Sequence, residues 1–126
     1  MTMARTKVLI VEDEMLIALQ LRQSLAKAGF EVCGSVGDGE TAIERSRKSL
    51  PDVILMDIRL SGEMDGIEAA RRILEFSKVV LIFTTGHTDA ALRARAEALK
   101  PAAFLIKPVE IQKLAGAIAS SLATRI

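Results

Sequence analysis

Glu12, Asp13, Asp57 and Lys107 are the residues best placed for shared acid-and-base chemistry, because each follows an apolar run. Lys7-Val8-Leu9-Ile10-Val11 leads into Glu12-Asp13, Val53-Ile54-Leu55-Met56 into Asp57, and Ala103-Phe104-Leu105-Ile106 into Lys107-Pro108. If these runs are neighbouring parallel strands, their carboxyl ends gather three carboxylates and one ammonium at one sheet edge, where open α/β sheets place their ligands. Crowded carboxylates repel one another, which raises some of their pKa values, and a divalent cation relieves the repulsion. A hard ion such as Mg²⁺ takes one or two carboxylates, several waters and a phosphate oxygen. Glu12 and Asp13 suit it directly or through water, Asp57 can also coordinate it, and the backbone carbonyl of Arg59 can add a ligand.

Lys107 brings a compact positive charge that can pair with Asp57 at rest and with a transferred phosphoryl group afterwards. A cis Lys107–Pro108 bond would aim the lysine inward. Thr85 closes the fourth strand, where its hydroxyl can donate to a phosphoryl oxygen. The set supports in-line phosphoryl transfer to a nucleophilic carboxylate, Asp57. The Thr85 hydroxyl and the Phe104 ring are candidates for reading out the added charge.

The elements that must position these groups alternate. Strands are expected at residues 7–11, 31–36, 52–57, 79–84 and 103–106, and the first, third and fourth are apolar enough to be buried on both faces. A helical pattern follows each. Ile17, Leu21, Leu25 and Ala28 form one stripe of the first helix, which Gly29 stops. The second helix opens after Asp38-Gly39 and ends before Pro51. Asp65 and Glu68 make a capping arrangement for the third, whose stripe is Ile67, Ala70 and Leu74. The fourth, from about Asp89 to Leu99, is alanine-rich and expected to be loosely anchored. The fifth, from about Glu110 to Thr124, carries Ile111, Leu114, Ala115, Ile118 and Leu122. Five such units with right-handed crossovers predict an α/β, flavodoxin-like, doubly wound (βα)5 sandwich with a five-stranded parallel sheet in the order 2-1-3-4-5, which sets the first and third strands side by side.

With those residues in order, the chain resembles the receiver domain of bacterial two-component response regulators over essentially its full length. The resemblance rests on Val8-Leu9-Ile10-Val11-Glu12-Asp13-Glu14, Asp57-Ile58-Arg59-Leu60, Met64-Asp65-Gly66, Phe83-Thr84-Thr85-Gly86 and Lys107-Pro108. It implies a signalling switch that takes a phosphoryl group on Asp57, with Mg²⁺, from a histidine kinase or a histidine phosphotransfer protein, and that slowly dephosphorylates itself. It also implies that Glu12 and Asp13 match the Mg²⁺-holding acidic pair, Lys107 the phosphoryl-contacting lysine, and Phe104 the aromatic switch position. Thr85 rather than Thr84 matches the switch hydroxyl, since it stands 22 residues before Lys107 and precedes the small Gly86. The chain departs from the pattern in three places. Glu12 replaces the commoner aspartate, and Phe104 lacks the hydroxyl of the commoner tyrosine. The loop Ser61-Gly62-Glu63-Met64-Asp65-Gly66 lacks the usual proline and is one residue longer.

Length and composition bound the rest. A chain of 126 residues fits one receiver domain over 1–126, with a core of about 6–124 and no output domain. The downstream partner is then a separate protein, met through the face made by the fourth helix, fifth strand and fifth helix. A net charge of +1 and only four aromatic residues give no footprint of a nucleic-acid or membrane-surface binder. Cys33 alone forms no internal disulfide and reads as a buried strand residue; a reducing cytoplasm fits. Thr84 reads as a strand residue, His87 as an exposed loop histidine and Met56 as core. Residues 34–39 read as a tight turn, and Arg71-Arg72 and Arg93/Arg95 as solvated helix faces.

Two rival functions stay open. A Mg²⁺-dependent phosphohydrolase of the haloacid-dehalogenase type would place a second aspartate two residues after the nucleophile, where this chain has Arg59. A degenerate receiver would bind partners without phosphorylation, which the complete set Asp13, Asp57, Thr85 and Lys107 argues against.

Overall fold

The computed structural model describes residues 5–86 and 89–124; His87, Met1 and Met3 lie outside the described residues. Five strands alternate with five helices: β1 (Lys7–Val11), α1 (Met15–Lys27), β2 (Glu31–Val36), α2 (Gly39–Ser49), β3 (Val53–Asp57), α3 (Gly66–Leu74), β4 (Val80–Thr85), α4 (Ala90–Glu97), β5 (Ala103–Ile106) and α5 (Ile111–Ala123). All pairings are parallel and the sheet order is β2-β1-β3-β4-β5. The doubly wound fold read from the alternation is the fold observed, with β3 starting one residue later than expected and β4 shifted by one residue at both ends.

Strand period 2 divides the core into two layers. Val8, Ile10, Val53, Leu55, Val80 and Ile82 face α1 and α5, where they meet Leu21, Leu25, Leu114 and Ile118. Leu9, Val11, Ile54, Met56, Leu81 and Phe83 face the opposite way, toward α2, α3 and α4. Strands β3 and β4 are buried along their whole length, which is why they carry no alternating polar residues.

Several local expectations need correction. The α1 stripe buries Ala18, Leu21 and Leu25, whereas Ala28 is the exposed C-cap residue. In α3 the buried face is wider than a three-residue stripe: Ile67, Ala69, Ala70 and Ile73 are buried and Leu74 only partly, because the helix packs on both the sheet and α2. Asp65 caps α3 by accepting from the Glu68 N–H at 2.8 Å, but the Glu68 carboxylate turns to Arg71 and Arg72 instead of closing the box. Cys33 is half-buried: the β1–β2 register skips it, pairing Val8 with Val32 and Leu9 with Gly34. Burial still pushes its thiol pKa up.

Candidate functional site

Register alone brings the chemistry-bearing residues together. Val11 pairs with Met56, so Glu12 and Asp57 leave adjacent strands side by side. Thr85 pairs with Ile106, and the Lys107 N–H donates to the Thr85 carbonyl at 2.8 Å. The Lys107–Pro108 peptide bond is cis. Asp13, Asp57, Arg59, Thr85 and Lys107 line one cleft of about 220 Å³ at the carboxyl edge of the sheet. Thr84 lines a different groove, between α1 and the loop before α5, because successive strand residues point to opposite faces.

The cleft is electrostatically crowded. Ligand oxygens of Glu12, Asp13 and Asp57 all lie within 4.8 Å of one another. Glu12 and Asp57 are each only 4% exposed, while Asp13 is exposed. The Lys107 ammonium reaches Asp57 Oδ2 at 3.0 Å and forms a second ion pair with Glu12 Oε1. That second contact is ionic without hydrogen-bond geometry, so the buried Oε1 has no hydrogen-bond donor among the described residues. Glu12 Oε2 accepts from the Glu14 N–H at 3.0 Å, and Asp57 Oδ1 from the Arg59 N–H at 3.3 Å.

Burial pushes the Asp57 carboxyl up to about 6; Lys107 opposes the shift and Glu12 adds to it. For Lys107, burial alone would lower the pKa, but Glu12 and Asp57 together outweigh it and hold the ammonium above its ordinary value. One ammonium thus faces three carboxylates, and the surplus negative charge calls for a cation. The donors are all hard oxygens, and among the described residues the buried Glu12 Oε1 is met only by its ion pair with Lys107. This is the donor chemistry that Mg²⁺ takes, so the acidic cluster fits that ion.

The loop after β3 packs against the site. Gly66 packs against the backbone of Asp57 and Ile58, its N–H donating to the Ile58 carbonyl at 2.7 Å. The Ser61 hydroxyl donates to Asp13 Oδ2 at 3.1 Å, a contact the sequence reading did not anticipate. Phe104 is half-buried and packs against the core layer under α2, α3 and α4, and the Arg93 guanidinium lies 4.6 Å from its ring centroid. Arg95 reaches Asp65 at 3.1 Å. Arg93 and Arg95 are therefore not merely solvated: both tie α4 to neighbouring elements. Arg71 and Arg72 are tied within α3 to Glu68.

The response regulator receiver domain family matches residues 8–119, and the chain belongs to it. Among curated proteins it is 36% identical to the transcriptional regulatory protein PdtaR of Mycobacterium tuberculosis over 112 residues, 89% of this chain and 54% of that protein. It therefore spans about half the length of that relative. It is also 36% identical to the chemotaxis protein CheY of Treponema pallidum over 121 residues, covering 92% of this chain and 82% of CheY. Among solved structures, the signal receiver domain of a modulated diguanylate cyclase from Desulfovibrio desulfuricans superposes with a TM-score of 0.91 at 35% identity, covering 96% of each chain. Membership supports a phosphorylation-dependent two-component signalling switch, in which receiver domains take phosphoryl groups from histidine kinases and act on downstream partners. No helix among the described residues is long and apolar enough to cross a membrane.

Proposed function

We propose that Asp57 is the phosphoacceptor of this receiver domain, taking its phosphoryl group from the phosphohistidine of a kinase or of a phosphotransfer protein. One carboxylate oxygen of Asp57 forms the new P–O bond as the P–N bond to the donor imidazole breaks. The observation that carries this reading is the placement of Asp57: buried at the sheet edge, with an ammonium 3.0 Å away and two further carboxylates within 4.8 Å.

Glu12, Asp13, Asp57 and the Arg59 backbone carbonyl would hold Mg²⁺. The ion supplies charge neutralisation for the phosphoryl oxygens. Lys107, already seated on Asp57 Oδ2, follows the charge onto the phosphoryl group. Thr85, in the same cleft, donates its hydroxyl to a phosphoryl oxygen, and Phe104 responds to that movement by space alone, since it has no hydroxyl. The output face is α4–β5–α5, supported by the light anchoring of α4, in which Ala96 is the one fully buried residue, and by Ile106, which is 42% exposed. A downstream protein in the cytoplasm reads that face.

The test is incubation with acetyl phosphate and Mg²⁺, followed by intact mass measurement. The wild-type chain gains about 80 Da, the mass of one phosphoryl group. Asp57→Asn gains nothing. A gain that persists in Asp57→Asn removes Asp57 from this role, and steady turnover of small phosphate esters points to a hydrolase instead.

A further inference from the structure

We propose that Ser61 is a positioning residue for Asp13, holding the exposed carboxylate of the acidic trio in its cation-binding orientation before the cation arrives. The inference rests on the reading that Glu12, Asp13 and Asp57 bind Mg²⁺. Glu12 and Asp57 are set by burial, but Asp13 is exposed, and an exposed aspartate must lose side-chain freedom to become a ligand. The Ser61 hydroxyl occupies Oδ2 at 3.1 Å, which leaves Oδ1 for the ion and removes part of that entropic cost in advance.

Ser61 is itself held. Its backbone forms a parallel bridge with Asp38, in the loop between β2 and α2. Asp38 is pinned as the N-cap of α2, accepting from the Thr41 N–H at 2.9 Å and from the Thr41 hydroxyl at 2.8 Å. The same loop runs close past Asp13: a Cβ added at Gly37 would meet the Asp13 Cα at 3.5 Å. A continuous set of contacts therefore runs from the α2 N-terminus through Asp38 and Ser61 to Asp13.

The test compares Ser61→Ala with Ser61→Thr, which keeps the hydroxyl. The chain has no Trp and no Tyr, so MgCl₂ titrations are read by calorimetry and by the Asp13 amide resonance. Ser61→Ala raises the Mg²⁺ dissociation constant by about tenfold, the lower end of what losing a ligand-orienting partner does, while Ser61→Thr stays within about twofold of wild type. Melting without Mg²⁺ is the same for all three proteins, which separates positioning from loop stability. A rise below about threefold in Ser61→Ala overturns the proposal, as does an equal loss in Ser61→Thr. If the wild-type chain itself takes up no Mg²⁺, the reading of the acidic cluster fails and the role of Ser61 falls with it.

Discussion

Gly66 lies so close to the backbone of Asp57 that a Cβ added to it would stand 2.0 Å from the Asp57 carbonyl oxygen and 3.0 Å from the Ile58 Cα. The loop after β3 can return under the candidate phosphoacceptor only because that Cβ is missing. Gly66→Ala is expected to destabilise the protein by about 1–3 kcal/mol, the usual range for overpacking, and to shift the Asp57 amide resonance. Gly116, in the middle of α5 with open space around it, makes the control. Gly116→Ala should stabilise by about 0.5–1 kcal/mol through helix propensity and reduced chain entropy. Thermal melts that rank the two variants the other way would refute this account of the loop.

Asp57 should also make the metal-free protein pH-sensitive. Burial raises its folded pKa to about 6, above the ordinary aspartate value of 3.8. Between those values the folded state binds more protons than the unfolded state, so this contribution to stability is present at low pH and lost as pH rises through about 6. The loss amounts to about 2–3 kcal/mol at most by pH 7.5, since one pKa unit is worth about 1.4 kcal/mol. Asp57→Asn cannot ionise and should be more stable than wild type at pH 7.5, with the gap closing toward pH 5. Mg²⁺ should stabilise wild type more at pH 7.5 than at pH 5. Melting curves of the two proteins that run parallel across this range would rule out Asp57 as the source.

The alternation of strands and helices, and the convergence of Glu12, Asp57 and Lys107, were legible because both follow from apolar runs and their ends. A buried strand must be apolar, and the residue just past it must emerge at the sheet edge. Family spacing favoured Thr85 over Thr84 for the switch hydroxyl, and strand parity turns the two side chains to opposite faces, with Thr85 lining the acidic cleft. What stayed hidden depends on loop paths and on contacts between exposed polar groups, which have no period. Ser61 on Asp13, Arg95 on Asp65 and Arg93 over Phe104 join elements 48, 30 and 11 positions apart in the chain. Cys33 was misjudged for a related reason: a one-residue register skip in β2 leaves no trace in composition. Likewise the width of the α3 buried face depends on where α2 lies, and the sequence of α3 does not contain that information.

Lys107 serves Glu12 and Asp57 at once, so removing it exposes their mutual repulsion. Lys107→Ala is expected to be destabilised at pH 7.5 by about 3 kcal/mol, the lower end for stripping one partner from a buried ion pair, and less so at pH 5. Its Mg²⁺ affinity should rise, because the ammonium no longer competes with the ion for the carboxylates. It should still accept a phosphoryl group from acetyl phosphate, while losing the phosphorylation-dependent change in amide resonances of α4. Weaker Mg²⁺ binding in the variant, or an unaltered α4 response, would contradict this role.

The last prediction concerns α4, whose sole fully buried residue is Ala96. Two arginines supply much of what holds it. Arg93 lies over Phe104 at 4.6 Å, a cation–π contact worth about 0.5–1 kcal/mol at an exposed site. Arg95 pairs with Asp65 at 3.1 Å, worth about 0–1 kcal/mol because the Arg95 side chain is exposed and Asp65 is only partly buried. These energies are small against global stability but comparable to local opening of a lightly packed helix. Arg93→Ala should therefore speed native-state hydrogen exchange of the α4 amides about twofold to fivefold, with the global melting temperature unchanged. Arg93→Ala combined with Arg95→Ala should act additively, since the two arginines have separate partners. The tether is absent if α4 exchanges at the wild-type rate in Arg93→Ala, or if exchange accelerates equally in α1, which neither arginine touches.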